Sequence, residues 1–267
     1  DLPTPVERYV EVDYPLIDSV EFYSPQDGGG FLVASGGDFQ PFQERPVPYR
    51  NLLFTLRENP GGQHTYYMRF TTTSSMNLPL VLWSERALLE KMSVEQLLFG
   101  VFYGAVVVMI AYNLIVFASV RDPSFLYFVL YLATWGLSML ELNGLAFQYL
   151  WPRSIWWANN SLPFFMFGTT LFGTLFARKY LDTPRTAPAI DRWLRLQAGL
   201  SAVGPVTILG GYPVAIRSVS AFALVTVASL QLAGFIALKR RHRPAYYFIA
   251  AWSAFFVGAG LFSLKSF

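Results

Sequence analysis

The sequence predicts a small all-β domain followed by a membrane-embedded α-helical bundle. Three observations carry this. First, charge-free intervals run 96–120, 123–140, 154–177, 196–216, 218–238 and 244–264. A helix needs about 20 mainly apolar residues to cross the bilayer core. Only helices and closed barrels satisfy their backbone polar groups in lipid, and here the apolar residues are continuous rather than alternating, so helices follow. Second, residues 1–90 hold no such interval; they show short alternating runs between turn residues. Third, charge divides at the same place. Residues 1–92 hold 7 Lys+Arg against 12 Asp+Glu, and residues 93–267 hold 13 against 5.

The expected division is therefore a β domain over 1–92 and a helical bundle over 93–267, with spans at about 96–119, 123–142, 159–180, 195–213, 215–238 and 244–264. In the β domain, Val10, Val12 and Tyr14 alternate with Glu11 and Asp13 across Arg8–Tyr14. Further strands are expected at Val20–Tyr23, Asn51–Arg57, Thr65–Thr73 and Leu78–Trp83, and a strand follows the Gly28–Gly30 run. Breakers at Asp27–Gly30, Gly36–Asp38 and Asn59–Gly62 separate them. Short strands with this punctuation predict an antiparallel sandwich. Five or six strands are few for two sheets, and the abrupt start at Asp1 lacks a signal peptide. Both lead us to expect a fragment truncated at its N-terminus.

The whole-chain charge of +3 and pI near 9.1 do not imply nucleic acid, because the basic excess belongs to the membrane loops. There is no cysteine, which excludes disulfides and thiolate metal sites. No catalytic constellation, cofactor motif or metal-ligand spacing appears, and the two histidines, His64 and His242, are far apart in sequence. The expectation is that this chain is not an enzyme and holds no cofactor.

Loop charges orient the bundle. Ten basic residues (Arg121; Arg178, Lys179, Arg185, Arg192, Arg195; Lys239, Arg240, Arg241, Arg243) fall on one side, against Arg153, Arg217 and Lys265 on the other. The β domain is then outside and the basic loops are cytoplasmic. Six spans return the C-terminus to the outside, and a seventh would place it in the cytoplasm.

Several residues stand out. Gly100 and Gly104 form a GxxxG pair suited to close helix packing. Asn113 in the first span and Pro205 in the fourth, next to Gly204, read as packing or switching positions, the proline by kinking its helix. Glu141 is the sole acid in a candidate span; it reads as a solvated interfacial residue or as a polar switch. The outer loop Asn143–Asn160 carries Phe147, Tyr149, Trp151, Trp156 and Trp157, either a membrane-boundary belt or a lid on the outer domain. On the β domain, Asp13, Tyr23, Arg50, Tyr67, Arg69 and Trp83 are candidates for a ligand face, because aromatic, Arg and Asp side chains together suit a sugar or carboxylate.

Two stretches carry a family resemblance. Gly100-x-x-x-Gly104 through Tyr112-Asn113-Leu114, Arg121-Asp122-Pro123, Tyr127 and Gly144–Leu150 resemble the membrane domain of the bacterial seven-transmembrane receptors with diverse intracellular signalling modules. Asp18–Tyr23, Ser35–Asp38, Pro41-Phe42 and Arg45 resemble their type 2 extracellular domain, a jelly-roll similar to carbohydrate-binding domains. The resemblance implies an inner-membrane receptor with a periplasmic sensor. It also implies a seventh span and a cytoplasmic output such as a histidine kinase or diguanylate cyclase, neither contained in this chain.

The resulting expectation is a multi-pass receptor fragment of the bacterial inner membrane. Its partners are the bilayer, a small periplasmic ligand such as a carbohydrate or a periplasmic protein, and a second copy in a homodimer. The rivals are a transporter or membrane enzyme with an accessory outer domain, and an envelope scaffold. The near absence of ionisable groups in the spans favours the receptor. Reporter fusions check the orientation: fusions after Arg195 and Arg243 should report the cytoplasm, and a fusion after Asn160 the outer side.

Overall fold

The computed structural model describes residues 6–26, 29–58, 64–73, 78–241, 243–251 and 253. The expected Asn59–Gly62 turn, His242, Lys265 and the end of the sixth apolar interval lie outside the described residues. The chain divides into two units. One comprises residues 1–107 and 136–162; the other comprises 108–135 and 163–267.

The first unit contains the β domain. Strands β1 (Val6–Val12), β4 (Leu52–Glu58) and β6 (Leu80–Ser84) form one sheet in the order β4-β1-β6. Strands β2 (Ser19–Pro25), β3 (Phe31–Gly36) and β5 (Tyr67–Thr71) form the other in the order β3-β2-β5. Every pairing is antiparallel, with Val10 opposite Phe54 and Leu82, and Tyr23 opposite Val33 and Tyr67. The two inner faces share one core of Val12, Ile17, Val20, Phe22, Leu52, Phe54 and Leu56. Phe22 stacks on Phe54 with centroids 5.2 Å apart.

β4 shows why the two sheets differ. Leu52 and Phe54 point into the sandwich, as the period of two requires. Leu53 points the other way and is also buried, in a second cluster with Tyr49, Leu88, Tyr9, Trp83 and Met92. That outer face is covered by the start of α1 (Glu85–Val120). β6 ends at Ser84 and α1 begins at Glu85 with no intervening loop, so the expected boundary at 92/93 falls within this helix. At 36 residues α1 is about 54 Å long, well beyond the roughly 30 Å of a bilayer core. Its surplus turns lie against the sheet.

The remaining helices are α2 (Pro123–Leu142), α3 (Leu145–Tyr149), α4 (Ile155–Tyr180), α5 (Thr183–Thr186), α6 (Pro188–Val203) and α7 (Tyr212–Lys239); residues 244–251 are also helical. Three of the described helices, α1, α2 and α7, are long and apolar enough to cross a membrane. Among the described residues three such helices are present, and the six expected spans are not shown. The fourth expected span, 195–213, differs most. α6 starts earlier and ends at Val203, and Gly204–Gly210 continues as a 3-10 helix. Pro205 lacks the N–H that an α-helix would use there, so the expected kink becomes a change of helix type.

Within the second unit, α4 and α6 pack antiparallel through uncharged polar groups. Thr170 Oγ1 donates to Ser201 Oγ at 3.2 Å, and Gly204 lies tight against the Phe167 ring. α6 buries Asp191, Leu194, Gln197, Ala198 and Ser201 while exposing Trp193, Leu196, Leu200 and Val203. The exposed face of α6 also carries Arg192 and Arg195, so it is apolar only beyond Arg195. At the far end of α4, the Arg178 guanidinium makes two hydrogen bonds to Asp191, at 3.0 and 3.3 Å.

The sandwich core is tested by Phe54→Ala. Removing a stacked, fully buried ring should cost about 3–5 kcal/mol. Unfolding of the full chain in detergent, followed by far-ultraviolet circular dichroism and tryptophan fluorescence together, measures it.

Candidate functional site

Glu11 sits on β1 facing out of the sandwich, and its side chain is fully buried. The sheet register puts Trp83 of β6 and Leu53 of β4 on the same face. Trp83 Nε1 donates to Glu11 Oε2 at 2.7 Å, and Asn51 Nδ2 donates to Oε1 at 2.6 Å. Lys91, on the second turn of α1, completes the site with Nζ 2.6 Å from both carboxylate oxygens. The same ammonium lies 5.5 Å from the centre of a Trp83 ring.

One turn further, Glu95 lies 3.4 Å from Lys91 and takes up Arg50, whose Nη2 donates to Oε1 at 2.8 Å and whose Nε donates to Oε2 at 3.2 Å. The Tyr49 hydroxyl also donates to Glu95. Burial, then this bond to a carboxylate, pushes the Tyr49 phenol well above its ordinary value, so it stays a donor. The Arg50 guanidinium stacks over Tyr49 and over Phe99 of α1. Arg50 Nη1 reaches the Asn143 carbonyl at 3.5 Å, and Asn143 Nδ2 donates to the Tyr103 hydroxyl at 2.9 Å. One polar chain thus links β1, β4, two turns of α1 and the end of α2.

A second contact lies where the α2–α4 connection meets the segment after β3. The Phe42 N–H donates to the Pro152 carbonyl at 3.0 Å, and Phe42 meets Phe147 edge to face at 5.7 Å. Gly144 has φ +72, and a Cβ there would lie 2.6 Å from Pro15 Cβ, so only glycine suits this position. The aromatic loop is therefore docked on the β domain through Phe147 and Trp151, while Tyr149 and Trp156 are exposed.

The six expected ligand-face residues do not form one group. Asp13, Arg50 and Trp83 belong to the α1 contact, where Asn51 donates to Asp13 and Lys91 lies 3.7 Å from it. Tyr23, Tyr67 and Arg69 share the outward face of β3-β2-β5. There Tyr23 donates to Glu21 at 2.7 Å, and Arg69 lies 3.5 Å from the same carboxylate. Phe31 meets Tyr23 and Tyr67 edge to face, at 6.4 and 5.4 Å. Phe31, Val33 and Tyr67 are all about half exposed.

The helix positions also need correction. Glu141 is not a solvated residue: it is 1% exposed and Ser161 donates to it. It faces the docked loop, where Trp151 reaches the same carboxyl. Among the described residues no neighbouring helix packs on Gly100 or Gly104; a Cβ at either would meet nothing within 4 Å. Asn113 donates back to the Met109 carbonyl of its own helix at 2.8 Å. His64 is exposed, and no group of three metal-ligating residues occurs among the described residues.

The family model described as 7TM diverse intracellular signalling matches residues 95–267, and the one described as 7TMR-DISM extracellular 2 matches residues 2–84. The chain belongs to the 7TMR-DISM family. Neither a curated protein nor a solved structure matches it. The order of the two matches sets an extracellular domain ahead of a membrane helical domain, the organisation of a membrane sensory receptor. In this 7TMR-DISM chain the residues between the two matches, 85–94, are the opening turns of α1 and carry Lys91. The junction is thus neither loop nor linker but the part of the helix gripped by the sheet.

Sequence reasoning missed Glu11, Asn51, Lys91 and Glu95. The signal was available in part. Lys91 and Glu95 are spaced i, i+4, and Glu11 and Asp13 alternate with Val10 and Val12, which reads as a solvated strand face unless a helix is known to cover it. The site predicts a specific stability pattern. Lys91→Met leaves Glu11 buried without its cation and should cost about 3–5 kcal/mol. Adding Glu11→Gln to that variant should recover much of the loss. Chemical unfolding of the full chain in detergent, analysed as a double-mutant cycle, measures both.

Proposed function

We propose that this chain is the sensing and membrane portion of an inner-membrane receptor, with its β domain in the periplasm. A small ligand, a carbohydrate in the first instance, binds the outward face of β3-β2-β5. The observation that carries this reading is the contrast between the two sheets. The outer face of β4-β1-β6 is filled by α1, whereas Phe31 and Tyr67 stand open around the half-buried Tyr23, beside the Glu21–Arg69 pair. Exposed apolar patches rimmed by polar groups are characteristic of binding sites. Aromatic rings stack on the apolar face of a sugar, and a carboxylate–guanidinium pair answers its hydroxyl groups as acceptor and donor.

Ligand binding moves the equilibrium of the receptor only by its differential affinity for two arrangements, typically about 1–3 kcal/mol of coupling. In this reading α1 carries the difference, because Lys91 and Glu95 are fixed to β1 and β4 within one continuous helix. The chain itself performs no catalysis; the output enzyme is a separate module. Calorimetric titration of the full chain in nanodiscs with a panel of soluble oligosaccharides tests the ligand face. Tyr67→Ala and Arg69→Ala should each weaken binding by about tenfold, the scale of one lost contact. Trp83→Ala should leave affinity within about twofold. Unchanged binding in both Tyr67→Ala and Arg69→Ala would remove the site from this face.

A further inference from the structure

The docked α2–α4 connection holds a titratable group that the ligand face does not involve. Asp38 follows β3, its side chain is buried, and its Oδ1 has no hydrogen-bond partner among the described residues. Its backbone carbonyl accepts from Asn159 Nδ2 of α4 at 3.1 Å, so it lies directly at the contact. Arg45 stacks over Phe42 and Phe147, at 4.9 and 5.3 Å, joining the two sides. Arg45 Nη1 donates to the Tyr49 and Arg50 carbonyls at 3.0 and 2.8 Å rather than to Asp38. Three charged groups face Asp38: Asp18 ahead of β2, Arg45, and Glu141 of α2. Two of the three are acids.

We propose that this contact is a proton-controlled latch, in which the neutral Asp38 carboxyl lets α3 and the start of α4 stay docked on the β domain and its ionisation releases them. Burial is the main influence on the Asp38 carboxyl, the charge of Asp18 adds to it, and Arg45 opposes it; the balance pushes the group up to about 7. The same burial brings Arg45 down to about 10, so Arg45 stays cationic through this range and supplies no step of its own. In the released state the carboxyl is hydrated and titrates in the ordinary range. The docked state therefore binds the proton more tightly. Docking is strongest at low pH, weakens as pH rises by up to about tenfold per unit, and levels off above about 7. The latch responds to external pH whatever ligand the open sheet takes.

Hydrogen exchange of the full chain in nanodiscs between about pH 5 and 8, corrected for the chemical exchange rate, reads the latch in peptides covering 38–45 and 145–152. In the wild type, exchange in both should rise about tenfold to a hundredfold with a plateau above about pH 7. Asp38→Asn should remain slow and flat. Asp18→Asn should move the plateau to lower pH, because a like charge is gone. Glu141→Gln should keep the step, which separates the two buried acids. A flat wild-type profile, a step that survives Asp38→Asn, or a step lost in Glu141→Gln would overturn the latch. If Asp38→Asn does not fold, the wild type and Glu141→Gln still decide.

Discussion

A carboxylate with no access to water, Glu11, fixes much of the first unit. Taking an ion out of water costs several kcal/mol unless a countercharge and hydrogen bonds replace the hydration. Glu11 receives Lys91, Asn51 and Trp83. Three different elements must therefore meet at one point of β1. Lys91 can arrive only if α1 lies on the outer face of β4-β1-β6 at one rotation, because a one-residue slip turns a helix by about 100°. That rotation also brings Glu95 to Arg50 and Phe99 beneath the guanidinium. The rest of the contact follows from a single buried acid.

The second contact depends on the first. Arg50 reaches the Asn143 carbonyl only from the position that Glu95 gives it. Asn143 begins the turn whose glycine, Gly144, closes against Pro15. From there the chain delivers Phe147 to Phe42 and Arg45. The helical unit is built differently. Its α4–α6 pair is joined by Thr170 and Ser201, with Gln197 and Thr174 fully buried and uncharged. Charge is confined to the end of the pair, where Arg178 and Thr183 hold Asp191.

The sequence made some of this legible. Long charge-free intervals reveal helices in lipid, and the alternation of Val10 and Val12 with Glu11 and Asp13 reveals β1, because both signals are local. α6 was less legible. Its hydropathy placed a span over 195–213, but the missing N–H of Pro205 ends the α-helix at Val203. Tyr23, Tyr67 and Arg69 could be placed on strands from their alternation. Which sheet they joined could not be read, since pairing is non-local: only the β2–β5 register separates them from Asp13, Arg50 and Trp83. Glu141 reads as interfacial from its place near a helix end. Its burial comes from Ser161 and the docked loop, distant in sequence.

The balance between apolar and ionic contact bears on transmission. An apolar seam of similar volume in place of Glu11, Lys91, Arg50 and Glu95 would be at least as stable, since buried ion pairs gain little over hydrophobic packing. What the ionic seam adds is register. A greasy helix sliding on a greasy sheet has many arrangements of similar energy, whereas a buried carboxylate tolerates only those that return a cation to it. Lys91 and Glu95 are thereby held to β1 and to Arg50 as one unit of α1. The second contact carries less ionic compensation, because Arg45 Nη1 donates to backbone carbonyls rather than to Asp38, and Arg45 Nε has no partner among the described residues. The first contact thus pairs its buried charges with one another, whereas the second leaves Asp38 Oδ1 without a partner among the described residues.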